Sequence, residues 1–289
     1  MEAFLHQVLS GLATGGIYAS MALALVMIYQ STHQINFAQG EMAMFSTYLA
    51  WTFVNAGAPY WIAFLITLIV SFVLGAIIER VVIRPVEHAP VLTVVIVFIA
   101  LLVILNSVAG WVYSYTIKTF PSPFEGSAIG TGYLSPHETG TIAVTFGVLL
   151  LLYAFFRFTP LGLAMRAAAQ NPVSSRLAGI RVGRMLALGW GLAAAIGAIA
   201  GMMIAPVVYL DPNMMSGVML YAFAAALLGG IDNPIGAVIG GFIVGVVENI
   251  AGAYVVGTEL KLSVALVLII GVLTFRPSGL FGRRYVTRV

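Results

Sequence analysis

Apolar runs follow one another along this chain with so few charges between them that a water-soluble fold is excluded at the outset. They cover residues 8–30, 42–57, 60–79, 91–112, 140–156, 185–209, 216–231, 234–256 and 260–275. A helix needs roughly 20 apolar residues to cross a bilayer, and most of these runs are at or near that length. Charged residues make up only 8% of the chain, against about a quarter of an ordinary soluble domain. The expectation is an all-α polytopic membrane protein of about eight or nine hydrophobic helices, forming a single transmembrane domain over residues 1–289. The connections around Ala56–Tyr60 and Ile231–Pro234 are short enough that one partner of each pair is expected to be broken or re-entrant if it does not span.

The 13 Lys and Arg residues set the orientation. With an external N-terminus and every run spanning, Arg80, Arg84, Arg157, Arg166, Arg176, Arg181, Arg184, Arg276, Arg283, Arg284 and Arg288 face the cytoplasm. Only Lys118 and Lys261 fall outside, so the C-terminus is expected inside. The net charge of +3 follows from this bias and calls for no nucleic-acid partner. Residues Met1–Gln7 lack the basic start of a secretory signal, and the first run is expected to be a retained helix. The longest external loop, residues 113–139, is rich in Pro, Gly and Ser. It either caps an entrance, touches an extracytoplasmic partner or simply connects.

Several chemistries are excluded by composition. The chain has no cysteine, hence no disulfide, thiol nucleophile or thiolate metal site. His6, His33, His88 and His137 lie in separate segments without ligand spacing, and no metal site is expected. No phosphate-binding loop, nucleophile or paired acid can be assembled, so the chain is not expected to be an enzyme or to bind a cofactor.

The segment 157–184 is too polar for lipid and too patterned for a random linker. Thr159 can cap a first helix with Pro160 at its first position, and the Ala-rich run to Ala169 has high helix propensity. Asn171-Pro172 breaks that helix and starts another, which Gly179 can end in a left-handed conformation. Leu161, Met165 and Ala168 recur on one face of the first helix, while Arg166 and Gln170 share another. Such an element suits the groove of a partner, or equally the surface of anionic headgroups.

Ile35-Asn36-Phe-Ala-Gln39-Gly40-Glu41 interrupts an apolar region, and polar backbone at membrane depth is tolerated only beside protein or a water-filled cavity. A broken helix there offers free N–H groups, and Glu41 is a functional candidate because a carboxylate in hydrocarbon is costly. Its alternative is pairing within the bundle. Asn213 and Gly217 repeat the spacing of Asn36 and Gly40. The charge-derived topology puts the two stretches near opposite faces, as an inverted repeat requires. Glycines from Gly229 to Gly245 at spacing four favour close helix packing. Asp232 is expected to cap the helix beginning at Pro234, and Glu248 either faces the path or pairs internally.

The run from Thr159 to Pro172, followed by Arg176-Leu-Ala-Gly-Ile-Arg-Val, resembles the coupling segment of branched-chain amino acid ABC transporter permeases, in particular the shorter LivH-type subunit. Gly15-Gly-Ile-Tyr-Ala-Ser, Ile35 to Glu41, Leu228 to Gly241 and Phe275 to Gly282 are similar to that family in the same order. The resemblance implies a type II ABC importer-like permease of a prokaryotic inner membrane. It implies ATP and Mg on two separate ATPase subunits, and an external substrate-binding protein. It implies a second permease subunit, a LivM-like heterodimer being favoured over a homodimer. It places Arg166, Ala169, Gln170, Asn171, Pro172, Arg176 and Gly179 at the ATPase contact. The cargo stays open among branched-chain and other amino acids, amides, urea and aromatic acids. The alternative is a stand-alone secondary transporter or channel using Glu41 or Glu248 for ion coupling.

Overall fold

A computed structural model describes residues 2–125 and 133–282. Arg283, Arg284 and Arg288, which entered the charge count, lie outside the described residues, as do residues 126–132 of the long loop. Eleven α-helices are found among the described residues: α1 (Glu2–Thr32), α2 (Gln39–Asn55), α3 (Tyr60–Ile78), α4 (Val91–Tyr113), α5 (Pro136–Phe158), α6 (Pro160–Gln170), α7 (Pro172–Leu177), α8 (Val182–Val208), α9 (Met215–Gly229), α10 (Pro234–Ala251) and α11 (Lys261–Phe275). A π-helical turn, Glu79–Ile83, extends α3, and another, Gly252–Val256, extends α10. The described residues thus form helices and no strands, and each apolar run of the sequence forms a helix.

Among the described residues, seven helices are long and apolar enough to cross a membrane. They are α1, α3 with its extension, α4, α5, α8, α10 with its extension, and α11 together with the 3-10 turn Thr258–Leu260 that precedes it. The remaining two apolar runs form α2 and α9, of 17 and 15 residues. Exposure separates two kinds of span. α1 and α8 are mostly buried, whereas α4, α5 and α11 show Leu, Ile, Val and Phe outward. An outward apolar face of that extent suits lipid.

The chain divides into two compact units. One comprises residues 1–26, 124–142 and 217–289. Within it α1 and α10 touch backbone to backbone. A Cβ added to Gly11 would stand 2.7 Å from Val246 Cα, and one on Gly15 would stand 3.0 Å from Phe242 Cα. Small residues are what permit such an approach. α10 starts at Asn233, whose Oδ1 accepts from Gly236 N at 3.1 Å. The cap is therefore Asn233 and not the expected Asp232, because Pro234 takes the first helical position and fixes its neighbour as the cap.

The other unit comprises residues 27–123 and 143–216. α8 runs through it, packed against α2, α3 and α6. Gly197 faces the Gln39 side chain and Gly191 faces Phe72, so the α8 surface is flat enough to take both neighbours. The side of the long loop that joins α4 is tied down by a two-bond bridge between Lys118 and Leu210, each N–H donating to the other's carbonyl at 2.9 Å. α5 starts at Pro136, four residues ahead of its apolar run, because Ser135 and Glu138 form a capping box. Ser135 N donates to Glu138 Oε2 at 2.9 Å, and Glu138 N donates back to Ser135 Oγ at 3.2 Å.

Candidate translocation path and coupling segment

α1 ends at Thr32, His33 turns the chain with φ 53°, and α2 does not begin until Gln39. The link between them is held by its own polar side chains. Asn36 Oδ1 accepts from Ala38 N at 3.0 Å, and Asn36 Nδ2 donates to Gln39 Oε1 at 3.3 Å. Gln39 Nε2 in turn donates to Ala193 O of α8 at 2.9 Å. Asn36 and Gln39 are wholly buried, and Gly40 is buried beside them. These groups satisfy a helix break inside the protein, as buried polar atoms must.

Glu41, in the first turn of α2, meets a different group. Asn106 Nδ2, on α4, stands 3.4 Å from Glu41 Oε2, 3.1 Å from Asn213 Oδ1 and 2.9 Å from Pro212 O. Asp211 completes the corner, its Oδ1 accepting from Asn213 N at 2.7 Å. Through Asn106, Glu41 at the end of the first stretch and Asn213 in the second meet in one polar corner. Seven residues beyond Glu41, on the same face of α2, Tyr48 stacks on Tyr113 at 4.5 Å between centroids. Tyr113 is likewise seven residues beyond Asn106 on α4, so a polar layer and an aromatic layer sit between the same two helix faces. Asn106 was not singled out in the sequence, although a lone Asn inside a 23-residue apolar helix is a signal of its own.

Glu248 lies in the other unit, with partners there. It accepts from Tyr18 Oη at 2.9 Å, and Lys261 Nζ is 3.8 Å from its Oε1. Tyr18 also stacks on Tyr221 at 4.7 Å. Lys261 donates at 2.9 Å to Asn249 Oδ1. This is a closed internal network. Among the described residues, no group of three His, Asp or Glu side chains stands close enough together to hold a metal ion.

The segment from 157 to 184 folds as two capped helices. Thr159 Oγ1 accepts from Gly162 N at 3.0 Å with Pro160 at the first position of α6. Asn171 Oδ1 accepts from Ser174 N at 2.9 Å with Pro172 at the first position of α7. Gly179 takes φ 84° just beyond α7. The buried stripe of α6 is Gly162, Met165 and Ala168, laid on α8. Leu161 is 41% exposed and does not join it, since Gly162 is the residue that turns towards the Phe155–Phe156 backbone. Arg166, Gln170, Asn171, Pro172, Arg176 and Gly179 are all exposed, and Ala169 is half-buried. Leu163, Val173 and Leu177 are exposed with them, at 61%, 68% and 86%. Arg176 and Pro172 also border a cavity of about 160 Å³ shared with Gln34, Glu79 and His88.

Comparison with known proteins places this arrangement. The family model described as branched-chain amino acid transport system, permease component, matches residues 7–273. The chain is 32% identical over 310 residues to the high-affinity branched-chain amino acid transport system permease protein LivH of Salmonella typhimurium, covering 99% of this chain and 98% of that one. It is 32% identical over 302 residues to the corresponding permease protein BraD of Pseudomonas aeruginosa, with the same coverage. Identity is 28% to a probable LivH permease of Methanocaldococcus jannaschii, over 91% of this chain and 87% of that one. Among solved structures, PsaBC from Streptococcus pneumoniae in complex with Fab is similar in fold, with a TM-score of 0.50 at 12% identity, covering 95% of this chain and 92% of that one.

Proposed function

Because the chain belongs to the branched-chain amino acid transport permease family, we propose that it forms the translocation path of an ATP-driven importer for branched-chain amino acids or a related small polar solute. The match across residues 7–273 carries this reading. The permease itself has no catalytic role in it. ATP and Mg bind two separate ATPase subunits, an external binding protein delivers the solute, and a second permease subunit of LivM type completes the pore. The chain is a multi-pass membrane protein; in this proposal α2 and α9 also span part or all of the bilayer, giving nine crossings of type II importer character with the C-terminus inside.

The coupling contact is assigned to α6 and α7. Their exposed face carries Arg166, Gln170, Asn171, Pro172, Arg176 and Gly179, with Ala169 at its edge. Exposed Leu163, Val173 and Leu177 add apolar area beside these cations. A rigid, doubly capped pair with a mixed apolar and cationic face suits a groove in a partner. When the ATPase dimer closes, the pair moves as one body and α8, on which α6 is seated, moves with it. The path itself is assigned to Glu41 and Asn213, reached past the helix break at Asn36, Gln39 and Gly40. Glu248, closed into its network with Tyr18 and Lys261, favours packing over the ion coupling that a stand-alone transporter would need.

Co-purification with the ATPase tests the assignment. Arg166→Glu, and separately Gly179→Val, are expected to abolish ATP-coupled uptake while the chain still inserts in the membrane. Undiminished uptake by both variants would remove α6 and α7 from the coupling contact.

A further inference from the structure

The cavity of about 160 Å³ lies within the unit of residues 27–123 and 143–216, beside α7, where α3 ends and α4 and α8 begin. Arg176 of α7 and Leu186 and Trp190 of α8 border it from the coupling side. Ile83 in the π-helical turn, Glu87 beyond it and Val94 in the first turn of α4 border it from the α3–α4 connection. That connection is a π-helical turn followed by a 3-10 turn, Arg84–Val86, backbone of the kind that marks hinges. α3 and α8 are joined at two levels along the cavity. Deeper, a Cβ on Gly75 would stand 2.6 Å from Trp190 O, so the two helix backbones touch. At the helix ends, Arg84 Nη2 donates to Gly183 O at 2.5 Å. A seam held at two points leaves rotation about the line that joins them, and such rotation swings α7 against the start of α4.

Trp190 supplies an independent observation. It is completely buried, Phe98 stacks on its ring at 6.0 Å between centroids, and its indole N–H has no hydrogen-bond partner. A buried donor left unpaired costs on the order of 1–3 kcal/mol. The cavity that Trp190 borders is roomy enough for several waters, and Gln34 and Glu79 line it as further polar partners. Water can leave such a space as its walls approach, whereas a close-packed interface cannot be compressed. The movement that the geometry leaves room for is therefore a closing one.

We infer that this cavity is a hydrated cleft that closes when the ATPase subunits drive α6 and α7, by rotation along the α3–α8 seam. The inference rests on the importer reading. It names the space into which α6, α7 and α8 move and the α3–α4 connection as the part they move against. Arg176 and Glu87, both exposed and opposite in charge, border the cleft from its two sides, and their approach favours the closed form.

The test uses the complex of this chain with its second permease and ATPase subunits, reconstituted in nanodiscs. The chain has no cysteine, so Val94→Cys introduces the single thiol of this subunit at a position 4% exposed. A charged methanethiosulfonate reagent reacts with a thiolate in water and not with a thiol packed among side chains. Modification is expected without nucleotide. It should slow at least about tenfold once the complex is trapped with ATP and vanadate, the open form then being a minor state of about 10% or less. Ala109→Cys, completely buried elsewhere on α4, should stay unmodified in both states. Leu186→Phe, placed to fill the cleft, should block modification of Val94→Cys and lower ATP-driven uptake at least about tenfold. Val267→Phe, on the exposed face of α11, should do neither. No modification without nucleotide, or equal modification in the two states, overturns the cleft. The pattern at Val94→Cys stands even if Leu186→Phe fails to fold. Failure of the ATPase subunits to co-purify counts against the importer reading, whereas a modification rate blind to nucleotide in an intact complex counts against the cleft alone.

Discussion

Arg84 holds Glu79 with two charge-assisted hydrogen bonds, Nε to Oε1 at 3.0 Å and Nη2 to Oε2 at 2.6 Å. The same Nη2 donates to Gly183 O at 2.5 Å, so one guanidinium ties the π-helical end of α3 to the first turn of α8. The Glu79 side chain is 2% exposed and that of Arg84 33%. Removing one partner of a buried pair leaves a charge without compensation. Arg84→Met is expected to destabilise the protein by about 3 kcal/mol, read as a lowered thermal midpoint in detergent. Arg84→Lys, which keeps the charge but loses the planar fork, should fall between the two. Equal midpoints for all three proteins would show the strut to be idle.

The α1–α10 contact gives a steric prediction. A Cβ on Gly245 would collide with the Gly15 backbone, which cannot swing aside as a long side chain can. Gly245→Val should cost about 1–3 kcal/mol and lower the yield of monodisperse protein. Gly271→Ala is the control, because nothing lies within 4 Å of the added carbon. Size-exclusion profiles and melting curves of the two variants check the contrast.

Local caps hold the shape of the 157–184 segment. Asn171→Ala removes the acceptor for Ser174 N and should destabilise α7 by about 1 kcal/mol, whereas Asn171→Asp should preserve it. Gly179→Ala strains a residue at φ 84° by about 1 kcal/mol without any clash, and Gly179→Asn should strain it less. Amide hydrogen exchange over residues 171–180 resolves the effects, with faster exchange expected in the two alanine variants only.

The Glu248 network predicts a packing role. Glu248→Gln retains an acceptor for Tyr18 and gives up the charge opposite Lys261. ATP-driven uptake by the assembled complex should survive this change within a factor of about 3, at a modest loss of melting temperature. A loss of uptake with an unaltered melting curve would instead make Glu248 part of the transport chemistry.

The parts of this account that were legible in the sequence are those governed by neighbours in the chain. Thr159-Pro160, Asn171-Pro172 and Gly179 are local signals, and each shapes the helix end it marks. The apolar runs became helices for the same reason. Asp232 and Leu161 show the limit of local reasoning. Two capping side chains stand side by side at 232 and 233, and the position of Pro234 selects the second. At α6 the face is set by where Gly162 approaches the Phe155–Phe156 backbone, a rotation that apolar spacing alone does not fix. The capping box of Ser135 and Glu138 is written in the sequence, and it starts α5 ahead of the apolar run. The polar corner was legible only in part. Glu41 and Asn213 stand out by type, but Asn106, which joins them, lies 65 residues from one and 107 from the other. Contacts of that separation depend on how helices pack, not on any local pattern.

In the proposed importer, this chain transports only when an ATPase drives it. The measurement that tests it most directly is uptake of radiolabelled leucine into proteoliposomes holding this chain and its second permease subunit, with the external binding protein present and the ATPase subunits added or withheld. ATP-dependent accumulation is expected when the ATPase is present and none when it is withheld. Equal accumulation in its absence would contradict an ATP-driven importer.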